Sequence, residues 1–113
     1  MKIAINTLSV IPGKVGGAET FLVNLTENLV RIDNKNEFLF VVSRNNKKRF
    51  IFNSGNVEYL EFNFNNNSRI KRVFFEQFTL PKKLKEKKAN LLIAPANTGL
   101  IKSPCKQLLI IHD

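Results

Sequence analysis

The chain has 113 residues, 43% hydrophobic and 24% charged, with ten Phe, one Cys, and 18 Lys plus Arg against 9 Asp plus Glu for a formal net charge of +9. That length holds one domain of about 100 to 150 residues and not two, and the apolar content excludes a disordered chain. The lone Cys105 excludes an intramolecular disulfide and a multi-cysteine zinc site, while the charge points to anionic partners: nucleic acid, a phosphorylated small molecule or an acidic membrane surface.

Lys2 to Asn6 is a short Ile- and Ala-rich run of the kind a buried strand shows. The opening stretch is not read as a secretory leader, because Asn6, Thr7 and Ser9 interrupt its apolar run and no small-x-small cleavage site follows. From Gly17 to Ile32 the apolar positions Ala18, Phe21, Leu22, Leu25, Leu29 and Ile32 recur every three or four residues, which predicts an amphipathic helix. Glu37 to Ser43 predicts a second buried strand. Asn45 to Phe52 is ambiguous and includes a short basic helix among its readings. Val57 to Phe62 predicts a third strand.

Between Arg69 and Lys88, Ile70, Val73, Phe74, Phe78 and Leu84 trace a helical stripe, with a kink or restart expected at Pro81, which lacks an amide donor. Asn90 to Ala94 and Leu108 to Ile111 predict the fourth and fifth strands. No window reaches the ~18 consecutive apolar residues of a membrane span. Continuous apolar strands alternating with helices predict an α/β class, a Rossmann-like parallel sheet with helices on both faces, built as one domain over residues 1–113.

Ligands in such sheets bind beyond the carboxyl ends of the strands, so three loops stand out. After strand one, Gly16 and Gly17 run into a helix, where backbone amides and the helix dipole suit an anion; a tight loop-to-helix turn is the alternative. The pattern is neither Walker A nor the GxGxxG fingerprint. After strand four, Asn97 and Thr98 lie in a polar segment that either lines a cleft or forms a surface turn. His112 and Asp113 follow strand five. Their chemistry suits sugar hydroxyls or phosphate, although any chain end can carry polar residues.

Taken together, Met1-Lys2-Ile3-Ala4-Ile5-Asn6, Gly16-Gly17-Ala18-Glu19, Phe75-Glu76-Gln77-Phe78-Thr79-Leu80-Pro81, Asn90-Leu91-Leu92-Ile93-Ala94-Pro95 and Leu109-Ile110-Ile111-His112-Asp113 resemble the N-terminal domain of GT-B glycosyltransferases of family 4. Phe75 stands where that family often has Trp, and Asn90 where Asp is usual. The resemblance implies a retaining hexosyltransferase-type enzyme that moves a sugar from a nucleotide-sugar co-substrate to a carbohydrate or lipid-linked acceptor, in cell-envelope polysaccharide or glycolipid synthesis, with no cofactor and no obligatory metal. It implies donor diphosphate binding by Gly16 and Gly17, catalytic roles for His112 and Asp113, and acceptor binding by Asn97, Thr98 and Asp113. The family's C-terminal nucleotide-sugar domain has no counterpart in these residues. The chain alone is therefore expected to be inactive, and a separately encoded C-terminal half is an expected partner.

Arg69, Lys71, Arg72, Lys82, Lys83, Lys85, Lys87 and Lys88 fall in one helical segment. They form either a solvated helix face or a patch for an anionic membrane surface, where each cation contributes about 1 kcal/mol. The expected location is accordingly cytoplasmic, peripheral to the inner face of the membrane. A small basic nucleic-acid-binding α/β module, with Phe50, Phe52, Phe74 and Phe75 among its basic residues, is the reading from another class. No RRM, KH or zinc signature accompanies it, and no specific nucleic acid is expected. A non-functional gene fragment is the third reading.

Overall fold

A computed structural model describes residues 1–10, 17–52, 55–63, 69–95 and 99–110. Five strands, β1 (Lys2–Asn6), β2 (Glu37–Ser43), β3 (Val57–Phe62), β4 (Leu91–Pro95) and β5 (Lys106–Ile110), form one sheet in the order β3-β2-β1-β4-β5. Every neighbouring pair is parallel. The α/β class with a parallel, Rossmann-like sheet is therefore the observed architecture.

The three central strands are apolar on both sides because both sheet faces are covered. Phe38, Phe40 and Val42 of β2 join Ile3, Ile5 and Ile93 under α1 (Gly17–Ile32), with Leu22 and Val30 from the helix and Phe50 from a 3-10 turn (Lys47–Phe50) closing that layer. Phe40 is its centre, with ring centroids 5.3 Å from Phe52 and 5.9 Å from Tyr59. Leu39, Val41, Ala4 and Leu92 point to the opposite face, against Leu80 and Leu84.

The long helical segment runs as α2 (Arg69–Phe74), a π-helical turn (Phe75–Thr79) and α3 (Leu80–Glu86). Its inward positions are Arg72, Glu76, Leu80 and Leu84, spaced by four. In a regular α-helix a four-residue step overshoots a full turn by about 40°, so such a row drifts around the helix. The wider π turn, in which the Leu80 amide donates to the Phe75 carbonyl, offsets that drift.

The expected apolar stripe is not the buried face of this segment. Ile70, Val73, Phe74 and Phe78 face outward, and only Leu84 of that set is buried. The restart expected at Pro81 falls one turn earlier, at the π turn, and Pro81 itself sits in the first turn of α3, where a missing amide costs nothing. Helix α1 is likewise rotated from expectation: Phe21 and Ile32 are exposed, while Leu22, Thr26 and Val30 are buried.

After α3 the chain closes with a left-handed residue, Lys88 at φ 59°. The Ala89 amide donates to the Leu84 carbonyl at 3.0 Å and the Lys88 amide to the Lys85 carbonyl at 3.1 Å, the paired bonds of a Schellman cap. That turn delivers Asn90 beside Lys2, with Lys2 N donating to Asn90 Oδ1 at 2.7 Å and Asn90 N to Lys2 O at 2.8 Å. These contacts set β4 alongside β1.

Candidate functional site at the strand-order reversal

Successive strands step from β1 outward to β2 and β3, then the chain crosses to the other side of β1 to lay down β4 and β5. The order reverses between β1 and β4, and the carboxyl ends of such a pair are where doubly wound sheets bind ligands. Gly17 is the first residue of α1, the helix reached from β1. Gly16, Asn97, Thr98, His112 and Asp113 lie outside the described residues.

The chain beyond β1 is anchored by buried polar groups. Thr7 donates from both its amide and its hydroxyl to the Val41 carbonyl, at 3.1 and 2.7 Å. Asn46 donates from its side chain to the carbonyls of Thr7 at 2.8 Å and Val10 at 3.0 Å, and its Oδ1 accepts the Ser43 amide at 2.9 Å. One side chain thus ties the outlet of β1 to the end of β2. Buried polar groups persist only when satisfied in this way.

The π turn is tied to the same end of the sheet by Glu76 and Gln77. Asn6, the last residue of β1, donates from Nδ2 to Glu76 Oε2 at 2.7 Å, while its Oδ1 accepts the Leu8 amide at 3.0 Å. The next residue, Gln77, reaches the segment that follows β4: its amide group donates to the Gly99 carbonyl and its oxygen accepts the Ile101 amide, both at 2.9 Å. Gln107 on β5 clamps Leu100 with two further bonds, at 2.7 and 2.9 Å. At Gly99 a Cβ would come within 3.2 Å of Leu109, so a larger residue would crowd that packing. Glu76 and Gln77 together fix the chain on both sides of the reversal.

Burial raises the Glu76 carboxyl above its ordinary value, with the Asn6 bond and the Arg72 charge opposing. Arg72 Nε stands 3.9 Å from Glu76 Oε1, close enough for charge attraction and too far for a hydrogen bond. Arg72 Nε is buried and makes no hydrogen bond among the described residues. The pair therefore puts one buried carboxyl of raised proton affinity and one guanidinium beneath the outlet of β1. Arg72 does not belong to the expected basic surface, because it points inward.

Lys83 is paired with Glu86 at 3.6 Å and Lys87 with Glu58 at 2.7 Å. Arg69, Lys71, Lys82, Lys85 and Lys88 are exposed. Of the aromatics considered for base stacking, Phe50 is fully buried, Phe52 packs on Phe40 and Phe75 on Phe62 with centroids 5.3 and 4.0 Å apart, which leaves Phe74 as the one on the surface. A polar hollow of about 470 Å³ lies at the opposite, amino-terminal edge of the sheet, lined by Asn36, Asn56 and Glu58 among others. Two cations serve Glu58 there: Lys87 and Lys2 both hydrogen-bond it and hold its carboxyl below its ordinary value. These two pairs tie the start of β1 and the end of the α3 segment to β3.

Sequence reasoning assigned no site role to Asn6, Glu76 or Gln77. The available signal was a charged and a polar residue inside the apolar run Phe75-Glu76-Gln77-Phe78, with Glu76 in four-residue register with Leu80 and Leu84. Among the described residues no helix is long and apolar enough to cross a membrane. Comparison with protein-family models, with curated proteins and with solved structures finds no match.

Proposed function

We propose that these residues form the acceptor-side, N-terminal half of a retaining GT-B glycosyltransferase of the family 4 type, which moves a sugar from a nucleotide-sugar donor to the hydroxyl of a carbohydrate or lipid-linked acceptor on the cytoplasmic side of the cell envelope. The observation that carries the reading is the polar bracket at the strand-order reversal: Asn6 bound to Glu76 and Gln77 bound to the Gly99–Ile101 segment, with Gly17 opening α1 after the central strand. Its supporting feature in the sequence is the ordered set of motifs, of which Phe75-Glu76-Gln77 is one.

In this reading the backbone amides of Gly16 and Gly17 face the donor diphosphate. A helix N-terminus stabilises negative charge as it builds on a departing phosphate, because its amides are already oriented and need no reorganisation. His112 lies beside the transferred sugar, and Asn97, Thr98 and Asp113 hold the acceptor. No metal enters the scheme. Turnover requires a nucleotide-binding domain as well, so the 113 residues bind without completing transfer.

The test is amide-resolved titration of the isotope-labelled chain with nucleoside diphosphates and with polyol acceptors, followed by a transfer assay across a panel of nucleotide sugars. Diphosphate should move the Gly16 and Gly17 resonances, and the chain alone should release no sugar. Undisturbed glycine resonances at saturating diphosphate would remove the donor-loop assignment. Robust turnover by the chain alone would remove the half-enzyme assignment.

A further inference from the structure

The segment from Arg69 to Glu86 is amphipathic the wrong way round in its first half. Arg72 and Glu76 are 9% and 2% exposed, whereas Ile70, Phe74 and Phe78 are 72%, 61% and 67% exposed. These three follow one another at four-residue spacing, two positions away from the buried row, and so form the outermost line of the helix. The rings of Phe74 and Phe78 stack with centroids 5.6 Å apart, making a single aromatic ridge. Val73 flanks it, and Gln77 holds the backbone of Ile101, itself exposed, beside it. A soluble surface scatters large apolar residues singly; a continuous line of them over an inward-facing ion pair marks a contact surface.

We propose that this ridge inserts into the headgroup layer of an anionic lipid bilayer, with the neighbouring cations resting on the lipid phosphates. The cations exposed along the segment include Arg69, Lys82, Lys85 and Lys88, and its one exposed acid, Glu86, is paired with Lys83. Lys82 continues the line of Ile70, Phe74 and Phe78 by one more four-residue step. An apolar line bordered by lysines is the arrangement of an interfacial helix, in which rings enter the acyl boundary and long cationic side chains reach the headgroups.

A protein partner fits less well, since lysine is depleted from protein interfaces. A second copy fits less well again, because each copy carries +9 and like charges oppose association. The inference rests on exposure and charge alone and does not depend on the transfer reaction.

The chain contains no tryptophan, so Phe78→Trp places a unique fluorophore on the ridge. With the full chain carrying that substitution, vesicles of phosphatidylcholine containing phosphatidylglycerol should shift the emission to the blue, and lipids brominated near the headgroup should quench it. Adding Ile70→Ser with Phe74→Ser should weaken the partition coefficient by about tenfold or more, as expected for the apolar area removed. Lys82→Glu with Lys85→Glu should weaken it similarly, and raising the salt should mimic that loss as screening lengths fall below about 10 Å.

Circular dichroism on each variant should remain that of the parent, because every substituted side chain is exposed. An unshifted and unquenched emission would overturn the proposal, as would equal quenching by phosphatidylcholine alone or undiminished binding by the serine variant. So would a concentration-dependent dimer in sedimentation that the serine substitutions abolish while vesicle binding persists.

Discussion

Asn6 and Glu76 meet through a 2.7 Å hydrogen bond between two buried side chains, joining the end of the central strand to the π turn across 70 residues of sequence. Removing either partner strands the other in a place water does not reach. Asn6→Ala and Glu76→Ala should each cost about 1 to 3 kcal/mol, and the double variant should cost less than their sum. Urea unfolding of the four proteins measures the coupling. Strict additivity would mean that the bond contributes nothing of its own.

The raised Glu76 carboxyl makes a directional pH prediction. Because its folded value lies above the ordinary 4.5, the folded chain holds that proton more tightly than the unfolded one does. The associated stability is complete below the ordinary carboxylate value and is lost as pH rises through the folded value. Glu58 and Asp33 act in the opposite sense, since their lowered values contribute stability that disappears as pH falls through them. Glu76→Gln removes only the first effect. The difference in melting temperature, variant minus parent, should therefore climb as pH rises from about 4 towards neutrality. A flat difference would place the Glu76 proton outside the linkage.

Gln77 is the brace for the segment after β4, through Gly99 and Ile101. Gln77→Ala should accelerate hydrogen exchange at the Ile101 amide by about fivefold, matching one lost hydrogen bond of roughly 1 kcal/mol, while amides of β1 and β2 exchange as before. Uniform acceleration across the sheet would show that the brace supports the whole fold and not this segment.

Lys88 holds a left-handed backbone conformation at the end of α3 that glycine adopts without steric cost. Lys88→Gly should raise stability by about 0.5 to 1 kcal/mol at the melting transition, the Schellman bonds being unchanged. A loss of stability would show that the Lys88 side chain contributes more than its backbone conformation costs.

The strands were readable because a parallel sheet covered on both faces makes β1, β2 and β4 almost wholly apolar, and Gly17 to Ile32 repeats with a helical period. Residues 69–86 misled for a physical reason. Their period is helical, but which side faces inward was decided by Asn6, far away in sequence, and by the sheet that presents it. Strand β5 begins earlier than expected because Lys106 and Gln107 are polar, as positions on a half-covered edge strand can be. At the site, glycine loops and terminal polar residues attract notice by residue type. Asn6, Glu76 and Gln77 become legible only once the strand order brings them to one end of the sheet.

Strand β1 is an interior strand whose two neighbours are made at very different times. Its partner on one side is β2, only a helix away, but on the other side it waits for β4, and Lys2 finds Asn90 only 88 residues later. At synthesis rates of about 5 to 20 residues per second, the emerging chain spends several seconds with one backbone edge of this buried strand unpaired. During that interval the same hydrogen-bonding groups that later seat β4 are open to any other extended segment. The order of manufacture, and not the finished sheet, is where this protein is most exposed to aggregation.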